Sequence, residues 1–348
     1  MAGDRRPAAS EASKQALARL DDWMASRAKR RRWLVLTHDN PDPDAIASAG
    51  LLRLLLRERY RAAVTVGYGG IIGRAENRAM VKSLGLRLSH VRHLSWKNYG
   101  HFALVDTQPR TGNNQLPDDV VPDLVIDHHP PRKESLASPL ADIRREYGAT
   151  ASIVAELLLA AELDLGRIAA TAYVYALRTE TLDFSREGLP IERAIYDWLL
   201  PLADKRALGR IQHPKLPRGY FQTLHQALER VATVENVLVC HLDEVPTPDD
   251  VPQLADLLLR LEGKTWCLVT GAQEDRIYLA IRTTNPRADA GRAMRRILGR
   301  KGKGGGHGMI AGGWYPRDDT APAATRELLA RRLLRQLRKD PARLSPLL

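Results

Sequence analysis

The chain has 348 residues, of which 44% are hydrophobic and 27% charged, with 53 Lys and Arg against 41 Asp and Glu for a net charge of +12. This is the composition of an ordinary globular protein with room for two domains, and the basic balance favours a phosphate-rich partner, although Arg-rich composition alone can produce it. Two cysteines, Cys240 and Cys267, make no disulfide framework or metal-ligand spacing, no apolar run approaches the ~18 residues of a membrane span, and the N-terminus lacks a signal peptide's apolar core. The expected setting is cytoplasmic, with no membrane.

In chain order, residues 1–14 read as unstructured, and Leu17, Leu20 and Met24 mark one face of a helix over about 15–26. Lys29-Arg30-Arg31-Arg32 reads as a solvated basic run ahead of the strand Leu34-Val35-Leu36-Thr37. A polar turn, His38-Asp39-Asn40-Pro41-Asp42-Pro43-Asp44, leads into a helix over about 45–57. Further elements follow: a strand at 63–68, a short helix at 77–84, a strand at 101–106 ending in Asp106, and the strand Asp123-Leu124-Val125-Ile126-Asp127 running into His128-His129-Pro130-Pro131. Helices are predicted at 150–161 and 168–177, the second entering a loop at Arg178–Phe184. Prolines interrupt a stretch from Pro190 to about Val231 that reads as a helical linker. A second alternating region has strands at 237–240, 265–270 and 277–281, helices at 251–261 and 292–298, a glycine-rich turn at 301–313 and a tail helix at 324–338.

Three apolar runs end in imidazoles or carboxylates: His38, Asp42 and Asp44; then Asp106; then Asp127, His128 and His129. A parallel sheet gathers neighbouring strand ends at one edge, where open α/β sheets place their ligands. Each piece alone has a plainer reading: His38 as a capping or core residue, Asp106 as a helix cap. Together they supply enough donors for two cations, and mixed imidazole and carboxylate suits Mn²⁺, whereas Mg²⁺ prefers oxygen. Two cations answer a chemical problem: a phosphate ester repels a nucleophile until its charge is neutralised, the attacking water needs a lowered pKa, and the leaving oxygen needs a counter-charge.

These motifs resemble those of the DHH phosphoesterase family. Its name-giving motif stands as Asp127-His128-His129, its first as His38 to Asp44 and its second as Leu104-Val105-Asp106-Thr107. Gly304-Gly305-Gly306-His307-Gly308-Met309-Ile310-Ala311-Gly312-Gly313 resembles the glycine-rich signature of the DHH-associated substrate domain. The two-domain length is similar to the nanoRNase and 3′-phosphoadenosine-5′-phosphate (pAp) phosphatase group. RecJ exonucleases carry further domains, and the membrane-bound cyclic-dinucleotide members carry spans.

The resemblance implies that His38, Asp42 and Asp106 hold one Mn²⁺ while Asp44, Asp106, His128 and a fourth-motif acid hold the other, Asp106 bridging, with Mg²⁺ or Co²⁺ as substitutes. Asp127 would support the site and His129 would meet the substrate phosphate or assist the leaving group. The fourth motif departs from the family's Asp-Thr: Arg178-Thr179-Glu180-Thr181-Leu182-Asp183-Phe184 puts Glu180 at the acid position, with Asp183 as the alternative. In the second domain, Gly305 and Gly306 would let backbone N–H groups approach a phosphate, His307 adds a polar or stacking contact, and Arg282 matches a phosphate-contacting position. Lys301 and Lys303 add positive charge, and Asn285 lies nearby in sequence.

The expected fold is α/β: a parallel-sheet catalytic domain over 31–190 behind an N-terminal tail and helix, a linker over 191–232, and a smaller α/β substrate domain over 233–348, with the active site in the cleft between them. The expected function is Mn²⁺-dependent hydrolysis of short oligonucleotides to 5′-mononucleotides, with pAp as a further substrate and a homodimer as a candidate assembly. The rivals are a linear or cyclic dinucleotide phosphodiesterase and a nucleotide-binding regulator with weak catalysis.

Overall fold

A computed structural model of the chain describes residues 6–27, 32–185, 188–318 and 322–348. The chain divides into two units, Met1–Pro214 and Lys215–Leu348. The first unit opens on α1 (Glu11–Ser26), four residues earlier than periodicity suggests. Ser10 caps it, and the reason is distant in sequence: the Glu156 carboxylate accepts from Ser10 N, Ser10 Oγ and Ser13 Oγ. Of the residues read as an unstructured tail, 1–5 lie outside the described residues, as do Lys29, Arg30 and Arg31 of the basic run.

The unit continues through β1 (Arg32–Leu36), α2 (Pro43–Tyr60), β2 (Ala63–Tyr68), α3 (Ala75–Leu84), β3 (Leu88–His90), β4 (His101–Val105), β5 (Leu124–Asp127), β6 (Leu140–Ile143), α4 (Thr150–Ala160), α5 (Gly166–Glu180), α6 (Pro190–Leu199) and α7 (Lys205–Gln212). The six strands form one sheet in the order β3-β2-β1-β4-β5-β6, every neighbour parallel. A parallel sheet is covered on both faces, so its central strands are apolar throughout. In β1, Trp33 and Val35 enter the main core while Leu34 and Leu36 enter a second cluster on the opposite face. Strand order reverses between β1 and β4, which makes their carboxyl ends the crevice of this fold.

Three expectations change here. Residues 191–214 are no free linker: Ile195, Leu199, Leu208 and Ile211 are buried in the first unit's core, the apolar faces of α6 and α7. The remainder, α8 (Arg218–Arg230), packs Ala227 and Val231 into the second unit. And α5 runs on to Glu180, so the loop read at Arg178–Phe184 begins only at Thr181, where Leu182, Asp183 and Phe184 all take positive φ.

The second unit continues with β7 (Ala232–Val234), β8 (Val237–Glu244), α9 (Asp250–Leu258), β9 (Trp266–Gln273), β10 (Arg276–Thr283), α10 (Ala290–Leu298), β11 (Lys303–His307), β12 (Ile310–Pro316), α11 (Pro322–Gln336) and β13 (Ser345–Pro346). Its sheet runs β11-β12-β10-β9-β8-β7-β13, antiparallel except between β8 and β9. The stretch read as a glycine-rich turn is a hairpin, with Gly304 opposite Gly313 and Gly305 opposite Gly312. Glycine is required by close approach: a Cβ on Gly291 of α10 would lie 1.9 Å from the Gly306 carbonyl oxygen, so helix backbone rests directly on strand backbone. Among the described residues no helix is long and apolar enough to cross a membrane.

Candidate metal centre

At the end of β1 the chain turns and enters α2 with Asp42 as its N-cap and Pro43 in its first turn. Asp42 divides its carboxylate: Oδ1 accepts from Ala45 N at 3.0 Å, and Oδ2 lies 3.7 Å from His38 Nε2. The Asp39 carbonyl accepts from His38 Nδ1 at 2.9 Å, which fixes the tautomer and leaves Nε2 to face Asp42 and Asp106, the latter at 3.5 Å. Asp106 follows β4 in a left-handed backbone conformation, φ 58°, anchored by its N–H to the Ile126 carbonyl. Its side chain is buried beneath three imidazoles: His38, then His128 Nε2 and His129 Nδ1, each 3.7 Å from Oδ1.

His128 repeats the arrangement of His38. Its Nδ1 donates to the Tyr147 carbonyl at 3.1 Å, leaving Nε2 toward Asp106 and, at 3.9 Å, Asp44 Oδ2. His129 turns its Nδ1 to Asp127 Oδ1 at 2.9 Å, and its ring meets His128 edge-on with centroids 4.4 Å apart.

The electrostatics follow from crowding. Burial pushes the Asp44 carboxyl well above its usual range, and the neighbouring Asp106, Glu180 and Asp42 carboxylates add to the shift. At Asp106 burial acts the same way, but His38, His129 and His128 outweigh it and hold the carboxyl well below the usual range. Burial opposes charge on His38 and His129 too; Asp106 and Asp42 nevertheless hold His38 well above the usual histidine value, and the Asp127 hydrogen bond with Asp106 lifts His129 to about 9. Two donor groups emerge, His38 with Asp42 and Asp106, and Asp106 with His128 and His129, the ligand atoms of each within 4.8 Å of one another. Concentrated acid with pre-oriented imidazole nitrogens fits a divalent cation that accepts mixed nitrogen and oxygen donors.

Two residues at this site escape sequence reading. Thr150, first residue of α4, donates its N–H to Asp44 Oδ2 at 2.7 Å and its hydroxyl to Asp106 Oδ1 at 2.8 Å, and accepts from His128 N at 3.2 Å. Ala151 N donates to Asp44 Oδ1 at 2.8 Å, so Asp44 caps a helix other than its own. Gln108 donates Nε2 to Asp127 Oδ2 at 2.6 Å, and its Oε1 accepts from Arg132 N and Ser135 Oγ. A threonine opening a helix is the one signal the sequence offers, and it does not say which acids the residue meets.

Residues 32–183 match the DHH family, N-terminal domain, and residues 235–331 match the DHHA1 domain. The chain belongs to the DHH family. It places the family's name-giving triplet, Asp127-His128-His129, beside the acids of its first and second motifs. An uncharacterized protein of Methanocaldococcus jannaschii is 34% identical over 290 residues, covering 83% of this chain; the chain spans 59% of that relative's length. An exopolyphosphatase-related protein from Bacteroides fragilis shares the fold with a TM-score of 0.73 at 15% identity, over 94% of this chain and 98% of that one.

Within the DHH unit, the two fourth-motif acids part company. Glu180 acts on both Asp44 and His129, whereas Asp183 is paired with Arg178 at 2.6 Å with 67% of its side chain exposed. In the DHHA1 unit, Arg282 is buried in β10, its Nε donating to Asp256 and its Nη1 to the Ile281 and Ala311 carbonyls at 3.1 and 3.3 Å. Gly305 and Gly306 lie in β11; the side chain of His307 is outside the described residues.

Proposed function

We propose that the chain is a Mn²⁺-dependent phosphodiesterase that hydrolyses short oligonucleotides to 5′-mononucleotides and also dephosphorylates pAp. The observation that carries the reading is Asp106: it belongs to both donor groups, as a carboxylate shared by a cation pair must. His38 and Asp42 would complete one cation site; His128, which shares the second donor group with Asp106, would complete the other together with Asp44 and Glu180. Cations held there would supply charge neutralisation of the phosphodiester and a lowered pKa for the attacking water.

The chain's own groups supply the rest. Main-chain carbonyls hold His38 and His128 in the ligating tautomer. Asp127, steadied by Gln108, holds His129 protonated on Nδ1 and fixes its ring, so that the imidazole can hydrogen-bond a phosphate oxygen and pass a proton to the departing 3′-oxygen. Arg282, Gly305, Gly306 and His307 are assigned to substrate binding in the second unit, and a site of that kind selects a nucleotide end over a long strand.

The test is product analysis on labelled RNA and DNA from two to twenty-four nucleotides, with pAp, linear and cyclic dinucleotides in parallel, in the presence of Mn²⁺. Mononucleotide release from the shortest RNAs, fading with length, is expected. Turnover of a dinucleotide alone would move the assignment to a dinucleotide phosphodiesterase. Equal, negligible turnover by the wild type and Asp106→Ala would leave a nucleotide-binding regulator.

A further inference from the structure

Outside the candidate metal centre, a cavity of about 330 Å³ runs along α2 in the first unit, walled by α2, by the start of α5 and by the chain between α3 and β3. Its walls are aliphatic, Leu51, Leu54, Leu86 and Ile168 among them, and they include no aromatic ring and no neutral hydrogen-bonding side chain. Without an aromatic ring or an amide, the wall offers a nucleobase only guanidinium groups, whereas an alkyl chain finds a matching surface over most of it. Three arginines, Arg53, Arg57 and Arg87, line it against a single acid, Glu58. None of the three has an ion-pair partner among the described residues. Burial and the charges of Arg57 and Arg87 lower the pKa of Arg53, as expected where cations outnumber acids and none is ion-paired.

Gly50 adds an independent observation. It sits inside α2, where glycine is less favourable than alanine, and a Cβ built on it meets nothing within 4 Å. Packing does not require a glycine there, and its absence of side chain leaves the cavity open.

We propose that this cavity is an effector site for an amphipathic anion, an unbranched acyl chain lying on the leucines with its anionic head held by Arg53, Arg57 and Arg87. The two helices that wall it also carry proposed cation ligands: Asp42 and Asp44 stand at the start of α2, and Glu180 ends α5. A ligand between them therefore couples to cation affinity, and that half of the inference rests on the proposed ligand roles.

The experiment is calorimetric titration of the full chain with decanoate, with 1-decanol as the neutral control, and with Mn²⁺ in the presence and absence of saturating decanoate. One decanoate should bind per chain, at least about tenfold more tightly than decanol. The triple variant Arg53→Gln/Arg57→Gln/Arg87→Gln should lose that preference, and Gly50→Leu should lose binding while keeping its circular dichroism and Tm. Saturating decanoate should shift the Mn²⁺ affinity by about twofold or more, in either direction. No binding of decanoate up to about 1 mM overturns the site. So does binding that the arginine variant leaves unchanged, or capture of an acidic amphipathic peptide in its place. An unchanged Mn²⁺ affinity overturns the coupling. Failure of Mn²⁺ to bind at all would count against the proposed function, and the decanoate titrations would still decide the cavity.

Discussion

The Thr150 hydroxyl donates to Asp106 Oδ1 at 2.8 Å while the same residue's N–H donates to Asp44, so one threonine spaces two buried acids of the site. Thr150→Val keeps the shape and removes the hydroxyl, leaving Asp106 Oδ1 and the His128 N–H without that partner. Mn²⁺ affinity by calorimetry should fall about 10–100-fold, with Thr150→Ser staying close to wild type. Equal affinities in the valine and serine variants would remove Thr150 from the site.

The fourth motif yields a ranking. Glu180→Gln should weaken Mn²⁺ activation by at least about tenfold, because its charge is felt at Asp44 and His129. Asp183→Asn should change it little, since that carboxylate is turned to Arg178. Titrating turnover against Mn²⁺ separates the two, and the reverse order would transfer the ligand role to Asp183.

A pH dependence unconnected with the cation site is expected from His241. Burial, helped by nearby Arg326, lowers its pKa to about 4, and its Nδ1 lies 2.7 Å from Thr270 Oγ1. An unfolded histidine titrates near 6.5, so the unfolded chain binds the extra proton between those values. The contribution to stability is full above about pH 6.5 and is lost as pH falls toward 4. Between pH 7.5 and 4.5 the wild type should lose on the order of 2 kcal/mol more than His241→Asn in urea denaturation. Parallel losses would show that another group carries the acid sensitivity.

Arg282→Ala has two expected consequences. If the guanidinium binds the substrate ground and transition states alike, KM rises and kcat holds. Because Nη1 also serves the Ile281 and Ala311 carbonyls, stability should drop by about 1–3 kcal/mol, read as a lower Tm. A fall in kcat at constant KM would contradict the binding role.

Gly291→Ala tests the contact of α10 with β11. Its new methyl would meet the Gly306 carbonyl oxygen, which cannot rotate away, and a cost of about 1–3 kcal/mol is expected by denaturation. An alanine variant as stable as wild type would mean the hairpin yields readily.

The central strands were legible because burial on both faces makes them largely apolar runs; β4, His101–Val105, falls within the predicted 101–106. The strands β3 and β6 were not, being short sheet edges: Leu88-Ser89-His90 carries no pattern of its own. The helical character of α6 and α7 was legible, but the intervening prolines made them read as a linker, although Ile195, Leu199, Leu208 and Ile211 anchor them in the first unit's core. In the site, His38, Asp106 and Asp127-His128-His129 announced themselves by ending apolar runs. Thr150 and Gln108 did not, because their meaning lies in partners such as Asp44, 106 positions from Thr150 in the sequence. Glycine repeats looked like a turn because a strand made for close backbone approach lacks the branched side chains by which strands are recognised.

The left-handed backbone at Asp106 decides how that residue can be interrogated. Most side chains resist this conformation, and asparagine and aspartate tolerate it best. Replacement by alanine thus imposes a conformational penalty on top of the missing donor, confounding the two in a single measurement. Asparagine retains the bend and discards only the negative charge, which makes it the cleaner probe of what the carboxylate itself contributes.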